Sequence, residues 1–155
     1  MGKKKIIVAV DFSEFTEGLI GYAGEMANYL GAKVFLVHII QSAQLVEILG
    51  DVPSAVPSLA EPGLLNQIKQ SAQSRLERYQ ERLKELGIEC EVYVLAGAPY
   101  FEIVEFAEKQ EADLIIIGSA GKSGFKHLLL GSVAEKVARK SSMPVLIYKP
   151  GARKV

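Results

Sequence analysis

The residues best suited to chemistry in this chain lie in Gly118-Ser119-Ala120-Gly121-Lys122-Ser123-Gly124 and, after a short apolar piece, Gly131-Ser132-Val133. The segment starts where an aliphatic run ends and stops where a helical pattern begins. Glycines there let the main chain approach a phosphate and adopt positive φ, turning N–H groups toward it. A helix start adds unpaired donors and the positive end of a dipole. Ser132 brings a hydroxyl and Lys122 a cation. The chemistry these types imply is the binding of a nucleotide through its phosphates.

Spacing excludes two familiar phosphate loops. Gly121-Lys122-Ser123 resembles the tail of a P-loop, but the glycine required five residues before Gly121 is Ile116. The dinucleotide pattern G-x-G-x-x-G is absent, because Ser119-Ala120 separates the first two glycines. Each residue also has a plainer use. Any single glycine, Gly124 included, serves as a turn residue, Ser132 as a helix cap and Lys122 as a solvated side chain. Asp11, at the end of the first strand, either caps the first helix, a role Ser13 also fits, or contacts a ligand. His38 reads as a satisfied interior or rim side chain, and His127 has no second imidazole near it in sequence. Cys90 reads as a small buried hydrophobe. Asp113 lies at the wrong end of its strand for a ligand, and Lys3 to Lys5 read as a solvated arm.

The elements that position the loop follow from periodicity. Strand-length apolar runs alternate with segments of helical period, which is the mark of βαβ units and a parallel sheet with helices on both faces. The strands are expected at Lys5–Val10, Lys33–Ile40, Ile88–Leu95, Asp113–Ile117 and Pro144–Tyr148. The first helix is expected over Phe15–Leu30, with Ser13 as N-cap and Gly31 as a left-handed stop. A second, long and amphipathic, runs through Leu64, Ile68, Leu76 and Leu83 to a stop at Gly87. The third begins at Pro99, which suits a first turn, and continues to about Gln110; the fourth spans about Ser132–Lys140. Between the second strand and the long helix, Gln41–Pro62 holds Pro53, Pro57 and Pro62 and reads as a mobile connection with one helical turn near Leu45–Leu49. The loop therefore leaves the C-terminal end of the fourth strand, the edge where open α/β sheets bind ligands.

Bulk properties narrow the field. A length of 155 residues fits one domain over 1–155, with no repeats. Eighteen basic residues balance eighteen acidic ones, which gives no general electrostatic reason to bind nucleic acid or anionic membranes. One cysteine excludes an internal disulfide and argues against a cysteine metal site. No apolar run approaches bilayer length, and Asp11 interrupts the one stretch that could follow the lysines as a signal peptide. The cytosol is the expected location.

The spacing of Gly118, two residues, Gly121, nine residues and Gly131-Ser132 resembles the nucleotide-binding signature of the universal stress protein family, in its ATP-binding branch. The resemblance extends along the chain. Ile6-Ile7-Val8-Ala9-Val10-Asp11-Phe12-Ser13 is similar to the family's opening strand and acidic turn, and Val34 to Ile39 to its second strand. Ala112 to Gly118 is similar to the strand entering the loop, and Ser142 to Ile147 to the closing strand. It implies a sheet in the order 3-2-1-4-5. It implies that the backbone near Ala9 and Ile39 holds adenine and that Asp11 meets the ribose or a metal-bound water. Gly118, Gly121, Lys122, Ser123, Gly131, Ser132 and Val133 would surround the phosphates, with Mg2+ or Mn2+ held through them. Two positions depart from the pattern. Ala9 replaces a proline common before the acidic turn, and Ala120 replaces a His or Arg, so ADP and AMP enter as competitors of ATP.

The family forms dimers through its last strand, and this sequence supplies a reason. The edge at Val145-Leu146-Ile147-Tyr148 carries no charge, whereas Glu89 and Glu91 guard the opposite edge. A homodimer through that strand is expected, with a further protein partner of unknown identity. No carboxylate is evidently placed to activate water and no arginine lies in the loop, so hydrolysis is expected to be slow or absent. The leading expectation is a nucleotide-liganded stress-response or signalling module. An ATPase or adenylate-transferring enzyme of similar fold, and a nucleotide-free dimeric scaffold, stand as alternatives.

Overall fold

Isoleucine and valine make up most of the short runs that become strands, because side chains branched at Cβ fit a pleated surface and restrict χ1 in a helix. In the computed structural model, which describes residues 2–41, 62–120 and 130–151, these runs form β1 (Lys5–Ala9), β2 (Lys33–Gln41), β3 (Cys90–Gly97), β4 (Leu114–Gly118) and β5 (Val145–Tyr148). They make one sheet in the order β3-β2-β1-β4-β5, with every pairing parallel. The helices are α1 (Thr16–Leu30), α2 (Pro62–Glu85), α3 (Pro99–Lys109) and α4 (Ser132–Lys140). The architecture and strand order are those the sequence and its resemblance imply.

Alternate strand residues feed two cores, one on each face. Ile6, Val8, Val34, Leu36 and Ile116 pack with Leu19, Ile20 and Ala23 of α1 and with Leu76 and Leu83 of α2. Ile7, Phe35, Val37, Ile115 and Ile117 pack on the other face with Ile103 and Phe106 of α3 and with Ala134 and Val137 of α4. Burying each aliphatic side chain of this size stabilises by about 1.5–3 kcal/mol relative to leaving it exposed. The central strands β1 and β4 thus have no wet face and no in-and-out alternation.

Most element ends fall within a residue or two of expectation, and two of the differences have a plain physical cause. β3 begins at Cys90, not Ile88, because the Ile88 N–H donates to Leu83 O at 3.0 Å while Gly87, at φ 81°, turns the chain out of α2. Ser13 precedes the helix instead of capping it. Its Oγ accepts the Phe15 N–H at 3.3 Å and its carbonyl the Thr16 N–H at 3.1 Å, and Phe15 occupies the cap position. The expected helical turn at Leu45–Leu49, with the rest of 42–61, lies outside the described residues. No described helix is long and apolar enough to cross a membrane.

Polar groups close the N-terminal ends of the strands. The Lys5 N–H donates to Asp113 Oδ2 at 2.8 Å, the Lys5 ammonium to Gln110 O at 2.9 Å, and the Asp113 N–H to Lys5 O at 2.9 Å. Asp113 is therefore structural, as its position at that end implies.

Candidate functional site

At the opposite end the chain parts. β1 leads through α1 to β2 on one side, whereas β4 leads to α4 and β5 on the other, so the strand ends diverge between β1 and β4. Between them lies a cleft of about 310 Å3. Ala9, Asp11, Ile39, Gly118, Gly131, Ser132 and Val133 all line it, drawn together from four separate stretches of sequence. Gly121, Lys122 and Ser123 lie outside the described residues, as do Gly124 and His127.

The entry to α4 is built by a crossing of main chains. The Ser119 N–H donates to Tyr148 O at 2.8 Å, and Ser119 O accepts the Gly131 N–H at 2.7 Å. A Cβ on Gly131 would stand 3.1 Å from that carbonyl, and one on Gly118 would stand 3.3 Å from Ala120 O. Close approach of backbone to backbone is what these two glycines permit. Neither sits at positive φ, in contrast to the expectation for the loop. Gly131, not Ser132, is the N-cap of α4, and no side chain caps it. The first bond of the helix runs from the Glu135 N–H to Gly131 O at 2.9 Å. Among the described residues nothing accepts the N–H groups of Ser132, Val133 and Ala134, and all three residues line the cleft. A first turn with free amides and the positive end of a dipole is a ready anion site.

The β1 side is shaped by a tight turn. Asp11 Oδ1 accepts the Ser13 N–H at 2.9 Å, so this carboxylate serves its own turn and also lines the cleft. Phe12 follows at φ 58°, an unusual conformation for a bulky residue. Its ring centroid lies 4.3 Å from that of His38, and the Arg75 guanidinium sits over the same ring at 4.0 Å. His38 Nδ1 lies 2.7 Å from Val10 O, so that nitrogen carries the proton and donates. His38 is thereby a satisfied rim side chain. Cys90 is buried, and burial pushes its thiol up to about 12, which removes it from thiolate chemistry at neutral pH.

Ile39, Pro99 and Ile103 give the α3 side of the cleft an apolar wall, whereas α4 presents donors. Such a division suits a ligand with a flat apolar part and an anionic part. Sequence reasoning missed Thr16, Leu19 and Tyr148, which line the α1 side. For Thr16 a signal existed: it is a polar residue at helical spacing on the stripe Leu19, Ile20, Ala23 and Ala27. Among the described residues no group of three or more His, Cys, Asp or Glu could hold a metal ion.

An open parallel α/β sheet with an anion-suited cleft where its strands diverge defines a class of small nucleotide-binding folds. The chain belongs to the universal stress protein family, whose family model matches residues 3–149. It is similar to protein MJ0577 of Methanocaldococcus jannaschii, at 32% identity and a TM-score of 0.80, with 100% of this chain and 99% of that one covered. A universal stress protein of Archaeoglobus fulgidus in complex with dAMP is 27% identical, with a TM-score of 0.64, covering 96% of this chain and 100% of that one. A universal stress protein in complex with cAMP is 26% identical, with a TM-score of 0.63, covering 97% and 99%.

Proposed function

We propose that this protein, as a single cytoplasmic domain over 1–155, binds an adenine nucleotide in the cleft between β1 and β4, with ATP as its ligand and ADP or AMP as competitors. The observation that carries the reading is the first turn of α4, whose Ser132, Val133 and Ala134 line the cleft and whose amides have no acceptor among the described residues. The phosphates lie on these amides, on Gly118 and Gly131, and on Gly121, Lys122 and Ser123 of the adjoining loop. The base lies by the backbone of Ala9 and Ile39, against the apolar α3 side. Asp11 faces the ribose or a water of a Mg2+ or Mn2+ ion that arrives with the phosphates, since the described side chains supply no metal site of their own. The dAMP and cAMP complexes of similar proteins support an adenine nucleotide.

Bound nucleotide sets the surface that a protein partner reads in a stress-response or signalling role, and hydrolysis is slow or absent. The chain works as a homodimer through β5, whose outer edge has no strand beside it among the described residues. One observation favours a second reading, the nucleotide-free scaffold: Gly131 and Ser119 already direct their N–H groups to the protein's own carbonyls. The two readings separate in a simple experiment. Purified protein is denatured and the supernatant analysed for nucleotide, and the native protein is melted with and without ATP. ATP at about 100 times its Kd adds roughly 2.7 kcal/mol to stability. Neither released nucleotide nor a shift in Tm would leave the scaffold.

A further inference from the structure

We propose that Thr16 forms a second contact for the anionic part of the ligand, its hydroxyl donating to a phosphate oxygen of a nucleoside di- or triphosphate that bridges α1 and α4. This rests on the nucleotide reading above and adds a residue and a layer of the fold to it.

Thr16 is 2% exposed, and its Oγ1 is the one buried side-chain polar atom without a hydrogen-bond partner among the described residues. A buried hydroxyl left unpaired destabilises the fold, and nearly all such atoms in native proteins find partners. Thr16 also lines the cleft that Ser132 and Ala134 line from the other side. The unpaired hydroxyl thus lies in the wall of the cleft, closed to solvent, and a turn of the side chain would bring it to a ligand oxygen. Leu19 and Ala120, both buried and apolar, line the same cleft.

Position in the helix selects the chemistry. Thr16 is the first residue of α1, as Ser132 is of α4. Two helices therefore bring the positive ends of their dipoles to one cleft, from opposite faces of the sheet. One anionic group occupies one helix end. A chain of two or three phosphates carries enough charge and length to serve both, whereas the base finds its apolar wall on the α3 side. A hydroxyl donor suits a phosphate oxygen, and a hydrogen bond to a charged group is the stronger kind.

The test is a pair of variants, Thr16→Val, which keeps the shape and removes the hydroxyl, and Thr16→Ser, which keeps the hydroxyl. Titration calorimetry with ATP, ADP, AMP and adenosine reads the effect on each. Thr16→Val is expected to weaken ATP about 10-fold and leave adenosine within twofold, while Thr16→Ser stays near the parent. Without ligand, Thr16→Val is expected to melt about 2–4 °C higher, because an unpaired buried polar atom has gone. Unchanged ATP affinity in Thr16→Val overturns the inference while the nucleotide reading stands. So does equal weakening of ATP and adenosine, or a lower melting temperature of ligand-free Thr16→Val, which would show that the hydroxyl already serves the protein. A parent protein that binds none of the four compounds overturns both.

Discussion

The two ends of the sheet are made from the same strands and treated oppositely. At the N-terminal end Lys5 and Asp113 exchange main-chain and side-chain bonds, Lys33 N–H donates to Lys4 O and Val34 N–H to Glu89 O, so donors and acceptors there meet within the protein. At the C-terminal end the first turn of α4 keeps its amides open and Thr16 buries a hydroxyl with no partner among the described residues. The closed end leaves none of these groups open, whereas the C-terminal end, despite its bonds from Ser119 and Gly131, keeps several without an acceptor among the described residues. The difference supports the proposed site, because unmet hydrogen-bonding capacity next to a cavity is stability that ligand binding could recover.

The largest effect is expected from Gly131→Val, which places side-chain atoms against Ser119 O, 3.1 Å from the position of a Cβ. Pushing α4 away from the end of β4 should weaken ATP by about 100-fold, the equivalent of about two charge-assisted hydrogen bonds, as read by calorimetry. A variant that folds and binds ATP normally would remove the C-terminal end from consideration. Next comes the lateral edge. Ile147→Lys puts a charge on β5 beside the unpaired edge and should convert a dimer to a monomer at micromolar concentration by light scattering; a parent that is already monomeric would refute the dimer. Asp113→Ala, at the closed end, should lower Tm by about 2–4 °C, for a loss of about 1 kcal/mol. ATP affinity should stay within twofold of the parent, and a larger change would break the separation of the two ends.

The smallest effect is electrostatic and belongs to the β3 edge. The Lys33 ammonium hydrogen-bonds Glu91 and Glu89, holding both carboxyls below their usual value of 4.5 and raising its own above 10.5. Depressed carboxyls contribute stability that is present above pH 4.5 and fades as the pH falls through their folded values. A raised ammonium contributes stability that is present below pH 10.5 and fades as the pH rises through its folded value. The two carboxyls are substantially exposed and salt-screened, so Lys33→Met should lower Tm at neutral pH only slightly and flatten the melting profile at both extremes. An unchanged profile would show that the cluster contributes nothing. This network also revises the view of Glu89 and Glu91 as bare guards of the edge, since β2 supplies them a counter-ion.

Much of the fold was legible because its signals are local. Ile6–Val8 and Leu114–Ile117 are aliphatic without alternation, which suits strands covered on both faces, and Gly31 closes α1 in the left-handed conformation expected of it. The start of β3 was not legible. Ile88 has a strand former's side chain, but its amide is taken by Leu83 O, a bond that depends on how Gly87 turns. In the candidate site, Gly118, Gly131 and Ser132 announced themselves by type and spacing. Their backbone conformations did not, because a glycine permits a close approach as readily as a positive φ, and sequence cannot tell which is used.

What the sequence determined by itself was the succession of elements and the place of Gly118 at a strand's C-terminal end, both of which rest on periodicity and residue type over a few neighbours. Tertiary structure decided which amides stay open and which are consumed, and it brought Thr16 from α1 to the floor of a cleft that Ser132 and Ala134 line from α4. The physical reason is that hydrogen-bond satisfaction is a property of surroundings. A threonine on an apolar stripe is an ordinary residue until the packed fold shows that nothing among the described residues answers its hydroxyl.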